Sequence, residues 1–127
     1  MKKLTVAKLL VICLPTALLA LPAAAGETCD SERGVKLFSK CAVCHANNET
    51  SRGGVGPNLH GVIDRDIASE PDFPYSLAME EREGVWTIEA LDRFIKSPMQ
   101  DLPGTMMAFA GFKKEQDRRD VICHLKQ

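Results

Sequence analysis

The sequence predicts an all-α protein: three main helices joined by long wrapping loops. Three observations lead there. Apolar residues recur at helical spacing in three separate stretches, the segments between them are punctuated by Gly and Pro, and no strand-like alternation survives more than a few residues. The chain has 127 residues, about 100 once an expected leader is removed. That makes one domain, small enough for a large flat cofactor to serve as much of its core.

Taken in order, the first element is the leader. Residues 1–25 are expected to be a cleaved secretory signal peptide, leaving a domain over residues 26–127. Lys2, Lys3 and Lys8 give the leader positive charge, Leu9 to Leu21 is almost wholly apolar, and Ala23-Ala24-Ala25 ends it in small residues. Pro15 interrupts the run, which is shorter than the roughly 20 residues a spanning helix needs, so no membrane span is expected after cleavage. Export through the inner membrane would place the mature protein in the periplasm. Cys13 leaves with the leader, and Cys29 follows Thr28 rather than Gly or Ala, which argues against lipidation. Losing three of 16 basic residues leaves 13 against 17 acidic ones. Such a balance offers no footprint for nucleic acid or for an anionic membrane surface.

Asp30 or Ser31 caps a predicted helix running to about Lys40, with Gly34, Val35 and Phe38 on one side. Its end delivers Cys41-Ala42-Val43-Cys44-His45. C-x-x-C-H is the attachment signature of a c-type haem: two thiols add to the two vinyl groups of one porphyrin, and the next residue places an imidazole under the iron. The same spacing occurs in thioredoxin-like dithiols and in half of a zinc site. The first needs a βαβ pattern and the second another Cys or His pair at ligand spacing, and neither context is present. One covalent haem c is therefore expected, held by Cys41 and Cys44 with His45 on the iron.

Asn47 to Asp72 reads as a wrapping loop broken by Gly53, Gly54, Gly56, Pro57, Gly61 and Pro71. A short helical turn is expected over Tyr75 to Glu83, ended by Gly84. Thr87 caps a clearer helix whose Ile88, Leu91, Phe94 and Ile95 make one apolar stripe, and Ser97-Pro98 ends it. Met99 to Phe112 is again expected as loop. The last helix spans about Lys114 to Lys126, with Val121, Ile122 and Leu125 as its buried face.

The second axial ligand decides whether a haem protein carries electrons or activates a bound molecule. His60 follows His45 too closely to reach the other face easily, and His124 reads as an edge-of-core side chain in the last helix. Met79 and Met99 are candidates. Met106 and Met107 lie in a rigid loop, Pro103 to Gly111, between helices; neighbours in an extended loop point opposite ways, so only one of the two can reach the iron. The residues by themselves leave that choice open.

Gly56-Pro57-Asn58-Leu59-His60-Gly61, Arg65, Phe73-Pro74-Tyr75, Trp86, Pro98 and the run Pro103-Gly104-Thr105-Met106-Met107-Ala108-Phe109-Ala110-Gly111 resemble the motifs of class I cytochrome c, the mitochondrial carrier and its bacterial c2-like relatives. The resemblance covers Gly34 to Lys126. It implies the cytochrome c fold around one covalently bound haem, with Met107, the last residue of Pro-Gly-Thr-x-Met, as the second axial ligand and Met106 in the place of a family lysine. It also implies that the Pro57 carbonyl accepts the second ring N–H of His45. Arg65, Tyr75, Trp86 and Thr105 would bind or screen the haem propionates, whose charges are costly to bury without donors. Phe94 and Phe109 would line the pocket, and Gly34 would let the first and last helices cross.

Three departures stand out. Phe94 replaces a frequent Tyr and Met79 a frequent Asn, which makes the distal pocket drier, and the family's lysine-rich face is thinned to Lys40, Lys113 and Lys114. Because the family's packing brings the first and last helices together, Cys29 and Cys123 are expected to form a disulfide in an exported protein. The implied function is one-electron transport rather than catalysis, since two protein ligands leave the iron no place for a substrate. A monomer is expected, with redox partners such as a quinol-oxidising complex, a terminal oxidase, a peroxidase or a dehydrogenase.

Overall fold

The structure, a computed structural model, describes residues 28–127, and the leader expected over residues 1–25 lies outside the described residues. In chain order the helical segments are α1 (Ser31–Ala42), α2 (Leu77–Glu80), α3 (Ile88–Lys96), α4 (Pro98–Asp101) and α5 (Glu115–Leu125). Among the described residues, no helix is long and apolar enough to cross a membrane.

Helix α1 begins where the Asp30 carboxylate accepts the Arg33 N–H at 2.9 Å, satisfying one of the first-turn donors that a helix leaves without partners. It runs two residues past the expected end. Cys41 therefore lies in its last turn, and the Cys41 carbonyl accepts the N–H groups of both Cys44 and His45 at 2.9 Å. The side it buries carries Gly34 and Phe38, whereas Val35, expected beside them, is 53% exposed. Phe38 is one turn on from Gly34, but Val35 is turned about 100° away around the helix.

That buried side meets α5. A Cβ at Gly34 would lie 2.1 Å from the Asp120 carbonyl oxygen, so the two helices cross at a distance only glycine permits. Val121, Ile122 and Leu125 are buried as expected. Arg118 and Asp120, which the apolar pattern did not flag, are buried with them. Arg118 donates through Nε to Asp92 of α3 at 2.8 Å and through Nη1 to the carbonyls of Phe112 and Lys113 at 3.1 and 3.2 Å. Asp120 accepts the Asp30 N–H at 2.9 Å, the Gln116 amide at 2.7 Å and the Arg33 guanidinium. At the same end of the crossing the Cα atoms of Cys29 and Cys123 are 5.9 Å apart, with their sulfurs at bonding distance.

Helix α3 is begun by Thr87, whose hydroxyl oxygen accepts the Ala90 N–H at 3.1 Å, and it buries Ala90, Leu91, Phe94 and Ile95. Two expectations between these elements need correction. The stretch from Met99 was expected as loop, yet α4 forms at its start because Pro98, at the first helical position, has its φ preset and no N–H to satisfy. The turn expected over Tyr75 to Glu83 shortens to α2, capped by Ser76. Its continuation is blocked because the next residues are claimed elsewhere: Asp66 and Val85 form an antiparallel bridge, the Gly84 carbonyl accepts the Ile67 N–H at 3.0 Å, and Trp86 bonds back to Asp64 and Arg65. The bridge fastens the wrapping loop to the entrance of α3.

Candidate haem site

The nine residues singled out from the sequence line one cavity of about 870 Å³, a size suited to a cofactor. The end of α1 supplies Cys41 and, just past it, Cys44 and His45. The wrapping loop supplies Pro57, Arg65 and Tyr75, Trp86 stands before α3, and the strap after α4 supplies Thr105 and Met107.

His45 is the most closely held of these. Its Nδ1 donates to the Pro57 carbonyl oxygen at 2.7 Å. A carbonyl can only accept, so the ring proton sits on Nδ1 and the lone pair is left on Nε2, the form that takes a metal. The ring packs on the backbone of Gly56, where a Cβ would come within 2.3 Å of His45 Cε1. Burial pushes the His45 pKa down against the opposing pull of the Pro57 acceptor, which keeps the imidazole neutral near pH 7.

The thiols behave differently from a redox pair. Cys41 and Cys44 are not bonded to one another. Burial first, and the neighbouring Cys44 second, push the Cys41 thiol up to about 11. A dithiol oxidoreductase needs the opposite shift, since the thiolate is its nucleophile. The zinc alternative finds no support either: among the described residues no group of three or more His, Cys, Asp or Glu is placed to hold a metal ion.

Of the adjacent methionines, Met106 is 65% exposed while Met107 is partly buried and packs on the core cluster. Met79 lines the same cavity from α2. His60 and His124 do not line it: His60 faces Glu49 at 3.6 Å, and the His124 ring meets Phe38 edge-on with centroids 5.1 Å apart. Phe94 and Phe109 both contribute to the wall.

The donors expected to face propionates are arranged in two ways. Thr105 Oγ1 accepts the Met107 N–H at 3.3 Å and Tyr75 Oη accepts the Glu70 N–H at 3.1 Å, so each hydroxyl keeps its own proton to give. Burial also pushes the Tyr75 pKa up, which keeps it a donor. Arg65 is engaged within the protein: it donates to the carbonyls of Asn58 at 2.7 Å and His60 at 3.1 Å and pairs with Glu70 at 3.3 Å. Glu70 lines the cavity but was not anticipated, because an acid inside a Gly- and Pro-rich loop has no spacing that marks it. Two unbonded thiols, a neutral imidazole oriented through Nδ1, methionine thioethers and two hydroxyl donors around one large cavity fit a covalent haem.

A family model described as Cytochrome c matches residues 31–127. Cytochrome c of Theileria parva is 46% identical over 99 residues, covering 77% of this chain and 85% of that protein. Cytochrome c2 of Rhodomicrobium vannielii is 38% identical over 96 residues, covering 76% and 77%. The solved structure of cytochrome cH from Methylobacterium extorquens matches with a TM-score of 0.71 at 30% identity, covering 76% of this chain and 97% of that one.

Proposed function

The chain belongs to the cytochrome c family, class I, whose members carry electrons on one covalent haem c, and we propose that it does so in the periplasm with its iron held between His45 and Met107. One observation carries this reading: Cys41, Cys44, the Nδ1-protonated His45 and Met107 line a single cavity. The haem, when bound, supplies an iron that takes up or releases one electron. What the chain does is hold it. Cys41 and Cys44 form thioether bonds that keep the cofactor from being lost outside the cell. Pro57 fixes the imidazole and raises its basicity. The Met107 thioether completes the coordination and favours a high reduction potential. The hydroxyls of Thr105 and Tyr75, the indole of Trp86 and the guanidinium of Arg65 would meet the propionates.

Held by His45 and Met107, the iron would have no place for a substrate, which favours a carrier over an enzyme. The periplasmic location rests on the leader sequence, residues 1–25. Exposure to an oxidising compartment, together with the meeting of Cys29 and Cys123, supports a disulfide between them. Electrons pass, as a monomer, between redox proteins such as a quinol-oxidising complex, a terminal oxidase, a peroxidase or a dehydrogenase; nucleic acid is not a partner, and the mature chain does not span the membrane. A redox titration of the mature protein, followed by absorption, tests the reading. The expected result is a single one-electron step with a sulfur-to-iron charge-transfer band in the near infrared of the ferric form. A ferric protein without that band would contradict it.

A further inference from the structure

Besides Met107, two methionines line the cavity, Met79 and Met106, and of these Met79 is the buried one. It is 8% exposed, belongs to the core cluster and lines the same cavity as His45 and Met107. Met99 is exposed and does not line the cavity, and Met106 lines its edge but is 65% exposed. The helix that carries Met79 is fastened to its surroundings at three points. Ser76 Oγ accepts the Met79 N–H at 3.3 Å. Arg82, one residue beyond the α2 cap, pairs with Asp101 of α4 at 2.7 Å and lies over the rings of Trp86 and Phe94, at 5.5 and 5.9 Å from their centroids. Ala78 packs on the strap that bears Met107: a Cβ at Gly104 would lie 3.1 Å from Ala78 Cβ.

Resting on the His45–Met107 reading, we propose that Met79 is a reserve axial ligand, a thioether that takes the iron position when Met107 leaves it. A methionine side chain is unbranched with three rotatable bonds, so its sulfur can be redirected within a fixed backbone, and a thioether needs neither deprotonation nor a polar partner to ligate. The exchange breaks one sulfur-to-iron dative bond and forms another, with no change in charge or electron count. Its consequence is that lifting of the strap, which withdraws Met107, leaves a carrier with a second sulfur ligand instead of an open iron. If Met79 were core packing alone, leucine would serve equally well there.

The test uses holoprotein carrying 13C-methyl methionine, in the reduced state, where a methyl held against the porphyrin face is shifted strongly upfield by the ring current. The wild type is expected to show one such methyl, lost in Met107→Gly and replaced there by a different one. That new signal disappears in the Met79→Leu, Met107→Gly double variant, and carbon monoxide then binds about tenfold faster or more, because no side chain competes for the iron. Met107→Ala repeats the comparison if the glycine variant fails to fold. No shifted methyl in the Met107 variants, or one that survives Met79→Leu and is lost in Met106→Leu, overturns the proposal. A wild-type signal unchanged by Met107→Gly overturns the parent reading, and the reserve role with it.

Discussion

Asp120 is a fully buried carboxylate, and its pKa shows how it is tolerated. Burial pushes the pKa up, but the Asp30 N–H, the Arg33 guanidinium and the Gln116 amide together outweigh burial and hold it below the ordinary carboxylate value. The unfolded chain therefore takes up this proton at a higher pH than the folded one does. The stabilisation is complete above the unfolded value of about 3.9 and is lost as pH falls through the lower folded value. Denaturant midpoints measured from pH 6 downwards should fall for the wild type in that window, and Asp120→Asn should start lower and fall less. None of this was legible in the sequence, since Asp30 and Asp120 are 90 positions apart and no local pattern joins them. The His45–Pro57 bond was legible, because both ends sit in short motifs whose chemistry constrains them.

Among the elements, the crossing of α1 and α5 carries the most weight. Replacing Gly34 by Ala puts a methyl group into the Asp120 carbonyl, an overpacking that should destabilise by about 1–3 kcal/mol or more. A lower urea midpoint at unchanged slope would confirm it, and an unchanged midpoint would refute it. A Cys29–Cys123 disulfide would tie the chain before α1 to α5 across a separation of 94 residues. A double Cys29→Ser, Cys123→Ser variant should lose up to about 4.7 kcal/mol in the chain-entropy view. Two reactive thiols in the denatured, unreduced wild type would show that the bond does not form. Capping residues and apolar stripes made α1, α3 and α5 readable to within two residues. The short elements were harder: α2 is cut back by the Asp66–Val85 bridge, a long-range pairing, and α4 depends on Pro98 starting a turn instead of only ending one. Val35 was misplaced because three nearby apolar residues were read as one face.

At the scale of the whole molecule, the core is wrapped around a cavity rather than closed upon itself. Phe94, Trp86, Leu91 and Ile95 belong to the core cluster and to the cavity wall at once. Haem filling the cavity of about 870 Å³ would give those side chains their packing partner, so it would be part of the fold and not merely its cargo. A Cys41→Ser, Cys44→Ser variant prepared without haem should therefore lose cooperative thermal unfolding, as followed by far-ultraviolet circular dichroism. The sequence revealed the cavity's chemical residues because C-x-x-C-H and Pro-Gly-Thr-x-Met concentrate them. Arg65 turned inward to Asn58, His60 and Glu70 was hidden, because those partners come from the loop's own path. An iron capped on both sides by protein should not take up carbon monoxide, and mixing the gas with the reduced, untreated holoprotein checks this. No spectral change is expected on mixing at neutral pH; an immediate shift of the haem absorption would show an open iron.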